Sequence, residues 1–129
     1  MLLYITMKPK KILLVEDDDI IRQVYQHYLE KSGYLVYIAP SGPDAVSYSQ
    51  HETFDVVILD IILPGFDGFH VMEQLKANEK TANIPVMVMT NLDDDKYIKR
   101  ATKLGATEYL IKSNTTPQVV VEHIKSLTK

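Results

Sequence analysis

Three short runs, Ile12-Leu13-Leu14-Val15, Val56-Val57-Ile58-Leu59 and Val86-Met87-Val88-Met89, are apolar without interruption. A strand with one face in water alternates apolar and polar residues, so an unbroken apolar run fits a strand covered on both faces. Strand candidates fall at residues 11–15, 34–39, 54–59, 85–90 and 107–111, and a helix-length segment follows each. That alternation predicts an α/β domain with a parallel sheet and helices on both faces. The three apolar runs are its central strands, and the mixed runs around Tyr37 and Tyr109 are its edges.

The intervening segments carry helix signals. Ile20, Val24 and Tyr28 recur at every fourth residue with Ile21, Tyr25 and Leu29 beside them, predicting an apolar face on a first helix that ends at Ser32-Gly33. The second helix runs from Pro43 to about residue 50, and the third covers about 69–78. The fourth opens with Asp93-Asp94-Asp95, acids suited to the positive end of a helix dipole, and stops before Gly105. The fifth begins at Thr116-Pro117 and turns Val120, Ile124 and Leu127 inward. Five strand–helix units fit a doubly wound sheet in the order 2-1-3-4-5, where ligands sit beyond the carboxyl ends of the strands.

Size and charge narrow the function classes. A chain of 129 residues fits one domain, and its 46% apolar and 24% charged residues fit a soluble globular core. The net charge of −3 without a Lys/Arg run argues against direct nucleic-acid binding. The absence of Cys leaves no disulfide, thiolate nucleophile or Cys-based zinc site, which suits a cytoplasmic location. The apolar start at residues 1–6 is too short to cross a membrane and lacks the features of a signal peptide, so no membrane insertion is expected. Residues 1–9 read as a poorly ordered N-terminal extension, with Met7 an alternative start, and residues 10–129 as the domain. No output domain is expected within these residues.

The strand ends carry the chemistry. Glu16, Asp17, Asp18 and Asp19 follow the first strand, Asp60 follows the third, Thr90 closes the fourth and Lys112 the fifth. Carboxylates gathered on one rim repel one another unless a cation or Lys112 neutralises them. An all-oxygen set without Cys or His points to a hard ion, Mg2+ ahead of Zn2+. Asp18 reads more simply as a helix cap, and Asp93 to Asp95 as a capped helix start. His27, His51, His70 and His123 share no ligand spacing and read as surface or boundary residues; Met87 and Met89 read as core.

These residues resemble the active site of the response-regulator receiver family, whose fold is flavodoxin-like. Val15-Glu16-Asp17 matches its acidic pair, and Leu59-Asp60 with the turn through Pro64-Gly65-Phe66-Asp67-Gly68 matches its phosphoacceptor strand. Pro85 to Thr90 matches the switch-threonine strand, and Gly105 to Lys112 matches the segment carrying the switch tyrosine and the lysine. The similarity runs from about Lys10 to Leu127.

The resemblance implies that Asp60 is the phosphoacceptor and that Mg2+ is held by Glu16, Asp17, Asp60 and the backbone carbonyl of Ile62. It further implies that Lys112 pairs with Asp60 and the phosphoryl group, that Thr90 donates to a phosphoryl oxygen, and that Tyr109 follows Thr90 as the switch. The implied donor is a sensor histidine kinase or a histidine phosphotransfer protein. A downstream protein target would read the surface of the fourth helix, fifth strand and fifth helix, and a homodimer on phosphorylation is a further partner the resemblance admits. The domain would be a signalling phosphoacceptor that catalyses its own phosphorylation and slow dephosphorylation, rather than an enzyme acting on a separate substrate.

Two positions depart from the common family pattern: Ser113 stands where a proline, often after a cis bond, is usual, and Asn91 where a small residue is frequent. Without proline a cis bond costs roughly 3 kcal/mol, so a trans or strained Lys112-Ser113 link is expected. The Asn91 amide is expected to crowd or hydrogen-bond the phosphoryl group. Ile62 and Leu92 are expected to flank that group, and because neither can orient water, a slowly hydrolysing aspartyl phosphate is predicted. Two rivals remain: a phosphate-independent interaction domain of the same fold, and a nucleotide- or flavin-binding enzyme. The second would want a glycine-rich loop where four acids stand.

Overall fold

The computed structural model describes residues 8–129, so the expectation of a poorly ordered extension lies, over residues 1–7, outside the described residues. The strands are β1 (Lys11–Val15), β2 (Leu35–Ala39), β3 (Val56–Leu59), β4 (Val86–Thr90) and β5 (Glu108–Ile111). They form one parallel sheet in the order β2-β1-β3-β4-β5, with the apolar runs central and β2 and β5 at the edges. The helices are α1 (Asp19–Lys31), α2 (Gly42–His51), α3 (Gly68–Ala77), α4 (Asp95–Lys103) and α5 (Pro117–Leu127), with a short 3-10 turn at Lys112–Asn114.

The unbroken apolar strands are explained by a two-sided core. Leu13, Val15, Val57, Leu59, Val86 and Val88 face one side, packed with Ala45, Phe69, Met72, Leu75 and Ala101 of α2, α3 and α4. Ile12, Leu14, Val56, Ile58, Met87 and Met89 face the other, against Tyr25 and Leu29 of α1 and Val120 and Ile124 of α5. Alternate residues therefore serve opposite cores, each large side chain contributing about 1.5–3 kcal/mol on burial.

The helix starts obey local chemistry. Asp18, Ser41, Asp67, Asp94 and Thr116 each accept a backbone N–H as N-cap. The face of α1 differs from expectation: Ile20 is 75% and Val24 39% exposed, while Tyr25 and Leu29 are buried and Ile21 and Tyr28 partly so. A strict every-fourth-residue row drifts around a 3.6-residue helix, and the row through 21, 25, 28 and 29 is the one centred on the sheet. The peptide bonds of the described residues are all trans, Lys112-Ser113 included.

Candidate functional site

Register brings the strand ends to one rim. Val15 lies beside Leu59 and Thr90 beside Ile111, so the residues that follow them share an edge. The ladder runs one step further: Asp60 N–H donates to the Val15 carbonyl at 3.1 Å, and Glu16 N–H to the Ala39 carbonyl at 3.1 Å. Glu16 and Asp60 are thereby drawn inside at 1% and 5% exposure, while Asp17 stays exposed. Gly68 permits this closeness, since a Cβ there would stand 2.3 Å from the Asp60 carbonyl oxygen.

Two buried carboxylates side by side are tenable only with positive charge between them. The Lys112 ammonium sits 2.5 Å from Asp60 Oδ2 and 2.5 Å from Glu16 Oε1, reaching from the end of β5 across β4. Asp60 Oδ1 accepts from Ile62 N–H at 3.2 Å, and Glu16 Oε2 from Asp18 N–H at 3.1 Å. Burial pushes the Glu16 carboxyl above its ordinary pKa, with Lys112 and the Asp18 amide opposing and Asp60 adding to it. Burial pulls the Lys112 ammonium down, but its pairing with Asp60 and Glu16 outweighs that and leaves it raised.

Glu16, Asp17 and Asp60 each offer an oxygen, all within 4.8 Å of one another, the one such cluster among the described residues. Glu16 Oε1 is buried and accepts no aligned hydrogen bond, although Lys112 is beside it. A buried oxygen with spare acceptor capacity, in an all-carboxylate set, fits a hard divalent cation. The Asp93 to Asp95 group is a helix start as expected: Asp94 caps α4 and Asp95 pairs with Lys99.

Thr90 is fully buried at the end of β4, and its Oγ1 accepts a long 3.5 Å hydrogen bond from Leu92 N–H. The half-buried Tyr109 donates its hydroxyl to the Leu92 carbonyl. The cleft beside these groups is lined by Ile62 and Asn91, and Leu92, expected to flank it, is partly buried with its side chain against the core that includes Ala101 of α4.

Arg22 escaped the sequence reading. Its guanidinium donates to the Glu16 carbonyl at 3.1 Å and the Asp17 carbonyl at 3.4 Å and pairs with Asp19, holding the acidic loop to α1. Only the Asp19 spacing, three residues away, hinted at it. His123 is more than a boundary residue, since its Nδ1 lies 2.5 Å from Glu108 Oε2 and bridges α5 to β5. His51 contacts its own helix at Ser47 O, and His70 packs on Phe66.

Known proteins place this arrangement. The family described as response regulator receiver domain matches residues 12–125. The chain is 39% identical over 101 residues to the cyclic di-GMP phosphodiesterase of Thermotoga maritima, covering 78% of this chain and 26% of that protein. It is 32% identical over 120 residues to the alkaline phosphatase synthesis transcriptional regulatory protein PhoP of Bacillus subtilis, covering 93% and 49%. It thus spans roughly a quarter to a half of these curated relatives. Among solved structures, the chemotaxis response regulator CheY4 of Vibrio cholerae superposes with a TM-score of 0.86 at 27% identity, covering 93% of this chain and 99% of that one. A CheY-like receiver domain protein of Methanospirillum hungatei gives 0.85 at 28%, covering 92% and 93%. With a family match over nearly the whole described chain and the same sheet order, this protein belongs to the response regulator receiver domain family of two-component signalling.

Proposed function

We propose that residues 10–129 form a phosphorylation-activated receiver in which Asp60 accepts a phosphoryl group from a phosphohistidine. The observation that carries this is the Asp60 carboxylate, held at the rim with one oxygen on Lys112 and the other on the Ile62 amide, inside a cluster of acids. Such fixation supplies what phosphoryl transfer asks of a protein, which is position and charge compensation.

In the step itself an Asp60 oxygen forms the new bond to phosphorus while the phosphorus–nitrogen bond to the donor imidazole breaks. The electron pair leaves with the imidazole, and Asp60 becomes an aspartyl phosphate. Lys112 follows the developing charge from the carboxylate to a phosphoryl oxygen. Glu16, Asp17, Asp60 and the Ile62 carbonyl would hold Mg2+, which when bound offsets negative charge on the phosphoryl oxygens. The Thr90 hydroxyl then donates to a phosphoryl oxygen and leaves Leu92, and Tyr109 turns inward. The α4-β5-α5 face changes with them.

The donor is a sensor histidine kinase or histidine phosphotransfer protein, the reader a downstream protein or a second copy of the chain, and the setting the cytoplasm. No described helix is long and apolar enough to cross a membrane. Self-phosphorylation is catalysed by the domain's own groups, with no separate substrate turned over. The test is intact mass after exposure to acetyl phosphate and Mg2+. A single phosphoryl adduct on the parent, absent from Asp60→Asn, supports the reading; no adduct on the parent, or an equal one on the variant, overturns it.

A further inference from the structure

Ser113 and Asn91 are joined: the Ser113 backbone N–H donates to Asn91 Oδ1 at 3.0 Å. The β4–β5 ladder ends at Thr90 beside Ile111, so the bond adds one more rung, made by a side chain, between the residues after Thr90 and after Lys112. Ser113 lies in the first positions of the 3-10 turn Lys112–Asn114, where a backbone N–H has no acceptor within the turn. The Lys112 carbonyl closes that turn by accepting from Thr115 N–H at 3.3 Å. Lys112 is therefore held on its backbone by this turn and at its ammonium by Asp60 and Glu16.

We propose that Asn91 is a positioning residue, whose side-chain bond to the Ser113 amide sets where the Lys112 ammonium stands. The proposal rests on the phosphoacceptor reading of Asp60. It accounts for both unusual residues together. A proline at 113 has no N–H to give, and a small residue at 91 has no oxygen to receive one, so either alone leaves the connection unmade. Ser113 supplies the donor and Asn91 the acceptor, two residues that are 22 positions apart in the chain. Asn91 also lines the cleft, so its amide is oriented by this bond before any phosphoryl group arrives.

The test compares the rate of adduct formation from acetyl phosphate with Mg2+ in the parent, Asn91→Ala, Ser113→Pro and the double variant. One hydrogen bond's net worth predicts that Asn91→Ala slows the parent about two- to tenfold. The same change made in Ser113→Pro has no further effect, because the donor is already gone. In the parent, the Ser113 amide exchanges slowly with solvent, and Asn91→Ala removes that protection and shifts the 15N resonance of the Lys112 ammonium. A parent rate in Asn91→Ala, an equal cost in both backgrounds, or an unprotected Ser113 amide in the parent overturns the proposal. So does a lowered thermal midpoint with the Lys112 resonance unmoved. If the parent takes no phosphoryl group, the phosphoacceptor reading fails, while the amide and ammonium signals still decide for or against the bond.

Discussion

The Tyr109 hydroxyl donates to the Leu92 carbonyl at 2.6 Å, tying the half-buried edge strand β5 to the segment between Thr90 and α4. Leu92 in turn offers its N–H to Thr90 Oγ1 at 3.5 Å, so Thr90, Leu92 and Tyr109 form one chain of contacts. The second bond is long and weak, which leaves the Thr90 hydroxyl free to find a better partner. Tyr109→Phe removes the stronger bond and keeps the ring. Unfolding free energy falls by about 1 kcal/mol, measured by urea titration.

On the proposed function, Mg2+ is expected to bind only the folded arrangement of Glu16, Asp17 and Asp60, so at ten times its Kd it should raise unfolding free energy by about 1.4 kcal/mol. Asp17→Asn removes the exposed ligand, and most of that gain disappears at the same Mg2+ concentration. Glu16→Gln tests the opposing cost. Because burial already favours the neutral carboxyl, the variant is more stable than the parent without Mg2+ and binds the ion about ten- to a hundredfold more weakly. Thermal melts with and without Mg2+ read both effects.

Alkaline pH unmakes the central ion pairs. The Lys112 ammonium is held above the ordinary 10.5, so its stabilisation is complete below that value and is lost as pH rises through the raised one. Tyr25 and Tyr109, raised by burial, are also protonated more strongly in the fold and add to the alkaline loss. Urea midpoints of the parent and Lys112→Met are therefore expected to differ most below the usual lysine range. The gap narrows above it.

The cleft offers an aspartyl phosphate little help in hydrolysis. Ile62 is 59% exposed at its mouth and apolar, and Leu92 is apolar and partly buried against the core. The aspartyl phosphate is expected to persist for minutes or longer once the donor is removed. Ile62→Glu brings a water-orienting carboxylate to the mouth and shortens the lifetime at least about tenfold, whereas Leu92→Glu, starting from a packed position, chiefly lowers stability. Timed loss of the adduct by intact mass separates the two.

Gly68→Ala is expected to damage fold and site together. Its Cβ would lie 2.3 Å from the Asp60 carbonyl oxygen and 2.8 Å from Ile61 Cα, both on the backbone, which cannot rotate away. A loss of about 1–3 kcal/mol in stability, with slower adduct formation, is the predicted outcome in urea titration and phosphorylation assays.

Sequence alone determined the sheet, its strand order, the helix starts at Asp18, Asp93 to Asp95 and Thr116, and the rim on which Glu16, Asp17, Asp60, Thr90 and Lys112 meet. Strands covered on both faces must be apolar throughout, and an acid placed where such a strand ends marks the rim. The tertiary structure decided how those groups relate. It buries Glu16 and Asp60 but exposes Asp17, sets Lys112 between two carboxylates, turns α1 onto Tyr25 and Leu29, packs Leu92 partly against the core and joins Asn91 to Ser113. Each of these depends on strand register and helix rotation, which bring together residues tens of positions apart. A one-dimensional pattern of apolar and polar residues carries neither quantity.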